Sequence, residues 1–286
     1  MALNSVITNA GAMVALQSLN KTNDMMDVTQ KRISTGYRVA DSKDDGAAFA
    51  VAQKVRGDVA GLTSANEQLG GATGLLDTTL EGLKSVSTTL ASVKSVVTKL
   101  ADDKITGEER TNYENQYTQL RQQIGSFVND STYNGASLLG TSAAADGATA
   151  AEGSDFSVVR SEKLATYSLS GQEQGAFDLV EASSVADAAG WKTMMEDTGA
   201  GGFAAVEKSV NTALNQYGND SKAITNQVSF NKSKMEALET GLGALIDADL
   251  AKESARMQSL TIRQQLGTTS LSTANQAPSS LLSLFR

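Results

Sequence analysis

The stretch LDTTLEGLKSVSTTLASVKSVVTKL, residues 76–100, decides how this chain folds. Leu76, Leu83, Leu90 and Val97 stand seven apart, and Val86, Val93 and Leu100 form a second row offset by three. On an α-helix both rows fall on one stripe, the a and d positions of a heptad repeat. The spacing therefore predicts a long helix that packs along one seam.

Working outward, Tyr113, Tyr117, Leu120, Ile124 and Phe127 alternate steps of four and three, a second helical seam. Between the two, Thr106-Gly107-Glu108-Glu109 reads as a turn with a capping box, Thr106 and Glu109 being three apart. The two helices are expected to fold back antiparallel, with Asn134-Gly135 marking a turn after the second. A matching seam runs through Ile224, Val228, Asn231, Met235, Leu238 and Leu242. Its phase slips near Leu245-Ile246 and resumes through Leu250, Met257, Leu260 and Gln264, which suggests a change of packing partner. Upstream, Gly57, Gly61, Gly70, Gly71, Gly74 and Gly82 sit where helix is expected, each costing about 1 kcal/mol against Ala. Small residues there are read as sites of close helix contact.

Both ends repeat the theme. Leu19, Met26 and Ile33 are seven apart, preceded by Leu3, Ile7, Val14 and Leu16. The other end carries Leu266, Leu271, Leu281, Leu282, Leu284 and Phe285. Neither end covers its own apolar stripe, so each needs the other end or a neighbouring molecule. Between the helical zones, 141–202 is rich in Ala, Gly, Ser, Thr and Asp. Residues 156–160 and 165–170 read as short strands around a loop at 161–163, and 141–153 as loop.

Composition narrows the function. There is one Pro in 286 residues, which suits long uninterrupted helices. Cys and His are both absent, which removes thiol nucleophiles, disulfides, Cys/His zinc sites and imidazole acid–base chemistry. Residues 141–200 hold ten acidic and three basic side chains, so nearly all of the net charge of −8 lies there. This is read as a solvated acidic face, and without a basic patch no nucleic-acid partner is expected. No signal peptide and no run of about 18 apolar residues is present, so no membrane insertion is expected.

No catalytic constellation stands out, and an enzyme and a cofactor are not expected. Asp102-Asp103 are neighbours that face apart on a helix. Asp44-Asp45 suits a helix N-terminus, with Ser42 and Asp45 as a capping pair. Gly199-Ala200-Gly201-Gly202 lacks the Lys-Ser/Thr ending of a phosphate loop. Asp247-Ala248-Asp249 lacks the Gly and distal Glu of a calcium loop and reads as a solvated helix face.

Two segments resemble the bacterial flagellins. One is QKRISTGYRVADSKDDGA, residues 30–47, with Arg32, Ser34, Gly36, Arg38, Lys43, Asp44 and Asp45 on the family's N-terminal pattern. The other is the tail from Ser272 to Arg286, with Asn275, Gln276 and Pro278 on its C-terminal pattern. The likeness covers about 1–140 and 205–286, in order, and the middle matches nothing comparable.

The resemblance implies a mainly α fold, with long antiparallel coiled-coil helices from both chain ends and a small irregular or β variable region. It implies an inner-tube domain of 1–40 plus 246–286, a helical outer-tube domain of 41–140 plus 203–245, and a solvent-facing region of 141–202. The implied function is a self-assembling filament subunit for swimming, exported unfolded by the flagellar type III apparatus. That implication replaces the cytosolic location the absent signal peptide would suggest. Implied partners are further copies, other flagellins, an export chaperone, and the cap and hook-junction proteins. Many flagellins also show a Toll-like receptor an Arg- and Glu-bearing helix face. Here Ser92 and Ser95, beside Lys94, stand where those charges are expected, so weak or absent recognition is the expectation. A hook–filament junction protein, an enzyme or binding domain in 141–202, and a coiled-coil adaptor are the competing classes.

Overall fold

The computed structural model describes residues 9–142 and 151–283, with side chains described as far as Gln276. In chain order the elements are α1 (Ala10–Thr35), α2 (Gly46–Leu100), α3 (Glu108–Asp130), β1 (Phe156–Val159), β2 (Thr166–Leu169), a 3-10 turn (Ala182–Ser184), α4 (Ala188–Glu196), α5 (Phe203–Ile246) and α6 (Leu250–Ser283). The fold is mainly α with one small hairpin, as the periodicity and resemblance imply. The chain divides into two compact units, residues 1–57 with 236–286, and residues 58–235.

The second unit is organised by the α2 stripe. Leu76, Leu83, Val86, Leu90, Val93, Val97 and Leu100 are all buried, together with Leu69, Leu75 and Val96. Helix α3 runs back along α2: Lys99 lies over the Tyr113 ring at 4.9 Å, while the chain just beyond α3 reaches Gly82 and Gly74. Tyr117, Ile124 and Val128 of α3 are buried, and Tyr113, Leu120 and Phe127 pack half-buried at the edge of the same core. Helix α5 closes it with Val206, Val210, Ala213, Tyr217 and Ile224, again in steps of three, four and seven. Met235 is half-buried farther along α5.

Two glycines on α2 sit at close approaches. A Cβ on Gly82 would overlap Ser131 Oγ, and one on Gly74 would lie 2.8 Å from Tyr133 Cε2. Gly57, Gly70 and Gly71 face open space, so only part of the glycine run serves packing. After α3, Asn134 (φ 50°) and Gly135 (φ 80°) form a two-residue hairpin turn, closed by Tyr133 N–H to Ala136 O at 2.9 Å and Ala136 N–H to Tyr133 O at 3.0 Å. Positive φ at both central residues is what Asn-Gly accommodates at low steric cost.

Strands β1 and β2 pair antiparallel with Phe156 opposite Leu169 and Val159 opposite Thr166. The loop between them spans more than 161–163, because the next closure is Arg160 N–H to Ala165 O at 2.7 Å. Tyr217 fastens the base of the hairpin to α5. Its hydroxyl lies 3.2 Å from Leu138 O and 3.0 Å from Ser170 O, and accepts from Gln172 Nε2 at 3.0 Å. At the far end, buried Asn231 donates to Arg160 O at 3.0 Å and Lys234 pairs with Glu162 at 2.5 Å. That ion pair holds the Glu162 carboxyl below its ordinary range.

Two local expectations fail. Thr106 and Glu109 make no capping box: α3 starts after Gly107 at φ 63°, with no side-chain cap. The positive φ demands glycine, and Glu108 and Glu109 instead sit in the first turn, where negative charge suits the helix dipole. The irregular middle also contains α4, whose Asp187 cap accepts Gly190 N–H at 2.8 Å. Trp191 of α4 is fully buried, its ring T-shaped against Tyr117 at 4.8 Å. Phe177, Leu179 and Met194 join the same core.

Candidate assembly interface

In the first unit α1 and α6 lie against each other. Along α1 the covered positions include Ala12, Ala15, Leu19, Thr22, Met26, Thr29 and Ile33, alternating steps of three and four, with Asn23, Met25 and Arg32 beside them. Along α6 they are Glu253, Met257, Leu260, Gln264, Gly267, Leu271 and Ala274. Both are heptad seams, but more than half of these members are small or polar. Gln264 Nε2 donates to Asn23 Oδ1 at 2.8 Å, and Arg32 Nη1 meets Glu253 Oε1 at 3.2 Å. Thr29 is buried, and a Cβ on Gly267 would lie 3.2 Å from Leu19 Cδ1.

The expected assembly residues divide between two roles. Leu19, Met26, Ile33, Leu260 and Leu271 belong to the seam between the helices. Val14, Leu16 and Leu266 do not: they are 63%, 47% and 61% exposed, as are Met13 (65%) and Ile262 (57%). Leu3, Ile7, Leu284 and Phe285 lie outside the described residues, and Leu281 and Leu282 are on α6 with side chains beyond those described. A seam signal was available at 12, 15, 19, 22, 26, 29 and 33, but it appears only when Ala and Thr count as seam residues.

The family-signature segment builds the joint that follows α1. Gly36 takes φ 75°, and its N–H closes the helix on Arg32 O at 2.9 Å. The chain then runs beside the α5–α6 connection. Arg38 N–H and Val39 N–H donate to Ile246 O at 2.7 and 3.2 Å, and Ala248 N–H donates to Gly36 O at 2.8 Å. The Arg38 guanidinium adds a bond to Leu245 O at 2.5 Å. Val39, Ala48, Ala52 and Ile246 form a small buried cluster, with Leu242 packed against it, and Leu238 is half-buried nearby on α5.

Charge stiffens the same joint. Lys31 Nζ lies 2.7 Å from Asp41 and 3.2 Å from Asp44. The two carboxylates raise the Lys31 pKa. Asp41 is held below its ordinary value first by Lys31, then by the Lys43 N–H. Asp44 is lowered mainly by the Ala40 N–H. Asp45 caps α2 by itself, accepting Ala47 N–H at 3.1 Å and Ala48 N–H at 3.0 Å, so the expected Ser42–Asp45 pair is replaced by one residue. Lys43 contributes through its backbone, and Ser34 is exposed.

Residues 247–249 are not a solvated helix face. Asp247 bridges Tyr37 in antiparallel fashion, and Asp249 Oδ1 accepts Lys252 N–H at 3.1 Å to start α6. The phase slip at 245–246 is this break between two helices.

On α2, in the other unit, Ser92, Lys94 and Ser95 are exposed. Lys94 Nζ faces Glu207 at 3.9 Å and the Phe203 ring at 5.5 Å. Among the described residues no group of three acidic side chains could hold a metal ion, and no helix is long and apolar enough to cross a membrane.

Comparison with known proteins agrees with this arrangement. Residues 6–144 match the bacterial flagellin N-terminal helical region, and residues 204–285 match the bacterial flagellin C-terminal helical region. The chain is 34% identical to flagellin FljK of Caulobacter vibrioides, over 100% of both chains. It is 31% identical to a flagellin of Brucella melitensis, over 99% of both. The fold resembles a solved flagellar hook-associated protein of Vibrio parahaemolyticus, with TM-score 0.56, 15% identity, and 71% of this chain and 100% of that one covered. The two matched helical regions flank a middle that neither covers, and the full-length relatives are flagellins. The chain belongs to the bacterial flagellins, the extracellular structural proteins of the flagellar filament, and is not an enzyme.

Proposed function

We propose that the α1/α6 pair is the polymerising part of the subunit. The observation that carries this is the apolar surface left outside the seam: Met13, Val14 and Leu16 on α1, and Ile262 and Leu266 on α6, are all close to half exposed or more. Apolar side chains grouped on an uncovered helix pair mark an interaction surface. The fitting occupant is a second copy, because a head-to-tail contact that does not close on itself generates a helical filament. Residues 1–40 with 246–286 would then line the inner tube, 41–140 with 203–245 the outer tube, and 141–202 the solvent face. Copies of related flagellins would fit the same lattice.

Delivery follows from the same reading. The chain travels unfolded through the flagellar type III apparatus, with a chaperone holding the apolar ends. It adds at the distal tip beneath a cap protein, in a filament seated on hook-junction proteins. Seeded polymerisation scored by electron microscopy tests the central claim. Long filaments from the intact chain, and none after removal of 1–33 or of 250–286, support it. Filaments from either truncated chain overturn it.

The exposed α2 face is proposed to stimulate a Toll-like receptor weakly. Ser92 and Ser95 offer no charge, and Lys94 is turned to Glu207 and Phe203. Full activation of a receptor reporter by monomer would reject this.

A further inference from the structure

Helix α6 runs to Ser283 and so passes through Pro278. Proline has no backbone N–H, so it cannot donate to the carbonyl four residues earlier, and its ring crowds that carbonyl. The carbonyl concerned is Ala274 O. It is not left open: Asn9 Nδ2 donates to it at 2.7 Å across 265 residues of sequence. The other end of the same amide is also in use. Asn9 Oδ1 accepts Ala12 N–H at 3.0 Å, capping α1. One side chain therefore starts α1 and fills the gap that proline makes in α6.

We infer that Asn9 and Pro278 act as a matched pair that fixes the register of α1 against α6. Earlier along α6 each helix carbonyl faces a backbone N–H four residues on, so those carbonyls make no demand on α1. At Ala274 sliding α1 by one turn leaves a carbonyl unpartnered in a half-buried position, and an unmade bond of this kind is expensive. The side-chain pairs Gln264–Asn23 and Arg32–Glu253 also belong to one register; the Asn9 contact adds to them a tie from an α1 side chain to the α6 backbone. Asn9 is a positioning residue for assembly, acting through the alignment of the two terminal helices. This rests on the assembly role proposed above for the α1/α6 pair.

A two-by-two comparison tests it: wild type, Asn9→Ser, Pro278→Ala, and both together. Serine keeps a helix cap but is too short to reach Ala274. Alanine at 278 restores the donor inside α6. The critical concentration for seeded polymerisation is the first readout. In the wild-type background Asn9→Ser should raise it about five-fold, the weight of one net hydrogen bond. In the Pro278→Ala background the same change should raise it less than about two-fold. If Asn9→Ser blocks filaments altogether, recovery by Pro278→Ala supports the inference and failure to recover overturns it. Equal fold-changes in both backgrounds, or no change from Asn9→Ser, also overturn it.

Amide exchange of segments 9–20 and 265–277 in the full chain is the second readout. Faster exchange in both segments together supports a shared register contact. Faster exchange in 9–20 alone means an ordinary cap and overturns it. If the truncated chains of the preceding section still polymerise, the assembly role fails, while coupled exchange would still report the register contact.

Discussion

At the scale of single residues, hydrogen-bonded titratable groups make stability depend on pH. Tyr217 is fully buried, and burial pushes its pKa up to about 12. Tyr167 is pushed up to about 12 by burial and by its bond to Asp220 at 2.7 Å. Both folded values lie above the ordinary tyrosine value, so the folded state binds more protons in alkali than the unfolded chain. Their contribution is complete below pH about 10 and is lost as pH rises toward about 12. Denaturant melts between pH 9 and 12 should therefore show falling stability, with a shallower fall in Tyr217→Phe. At neutral pH the same variant should lose about 1–3 kcal/mol, because the hydroxyl that donates to the hairpin-side carbonyls and accepts from Gln172 Nε2 is gone from a buried position. The Lys31 cluster behaves in the opposite direction. Asp41 and Asp44 are lowered, so their contribution is present above the ordinary carboxylate range and is lost as pH falls through the lowered values. Lys31→Gln should return Asp41 toward its ordinary value and move Asp44 less, since Ala40 N–H is the larger cause there. A carboxylate NMR titration reads both; equal movement of the two would contradict this account.

At the scale of elements, two glycines on one helix should respond oppositely. Gly70→Ala meets nothing within 4 Å and gains helix propensity of up to about 1 kcal/mol. Gly82→Ala drives a methyl into Ser131 Oγ, which itself bonds Phe127 O at 2.5 Å, so the third helix must shift. Thermal melts of the monomer should rise for the first and fall for the second. The same contrast shows what a sequence can disclose. Residues 76–100 were legible because a single stripe of Leu and Val governs their burial, and every member of it is inside. The Asn134-Gly135 turn was legible because few other pairs take positive φ twice. The α1/α6 seam was only half legible: Leu19, Met26 and Ile33 announced it, but Ala12, Thr29, Gly267 and Glu253 carry no apolar signal. Asn9 gave no sign at all, since its partner is 265 residues away. Helix α4 was hidden because nine residues beginning Ala-Ala-Gly show little periodicity, although Trp191 was there to anchor it.

At the scale of the molecule, acidity and apolarity occupy different stretches. The middle of the chain carries nearly all the net negative charge, whereas α1 and α6 carry the uncovered apolar side chains. If the acidic stretch lies on the outside of the filament, like charge holds neighbouring filaments apart and salt weakens the effect. Replacing its Asp and Glu residues by Asn and Gln should make filaments bundle in low salt, as seen by light scattering; bundling unchanged by the replacement would dismiss the idea. The lone tryptophan has a further use. Trp191 sits fully enclosed beside Tyr117 in the unit built from residues 58–235, and no other indole exists in the chain. Its emission therefore reports the packing of the central unit. Fluorescence that reaches its final colour before light scattering begins would time-stamp two separate events, so the subunit comes with its own optical clock for telling maturation from growth.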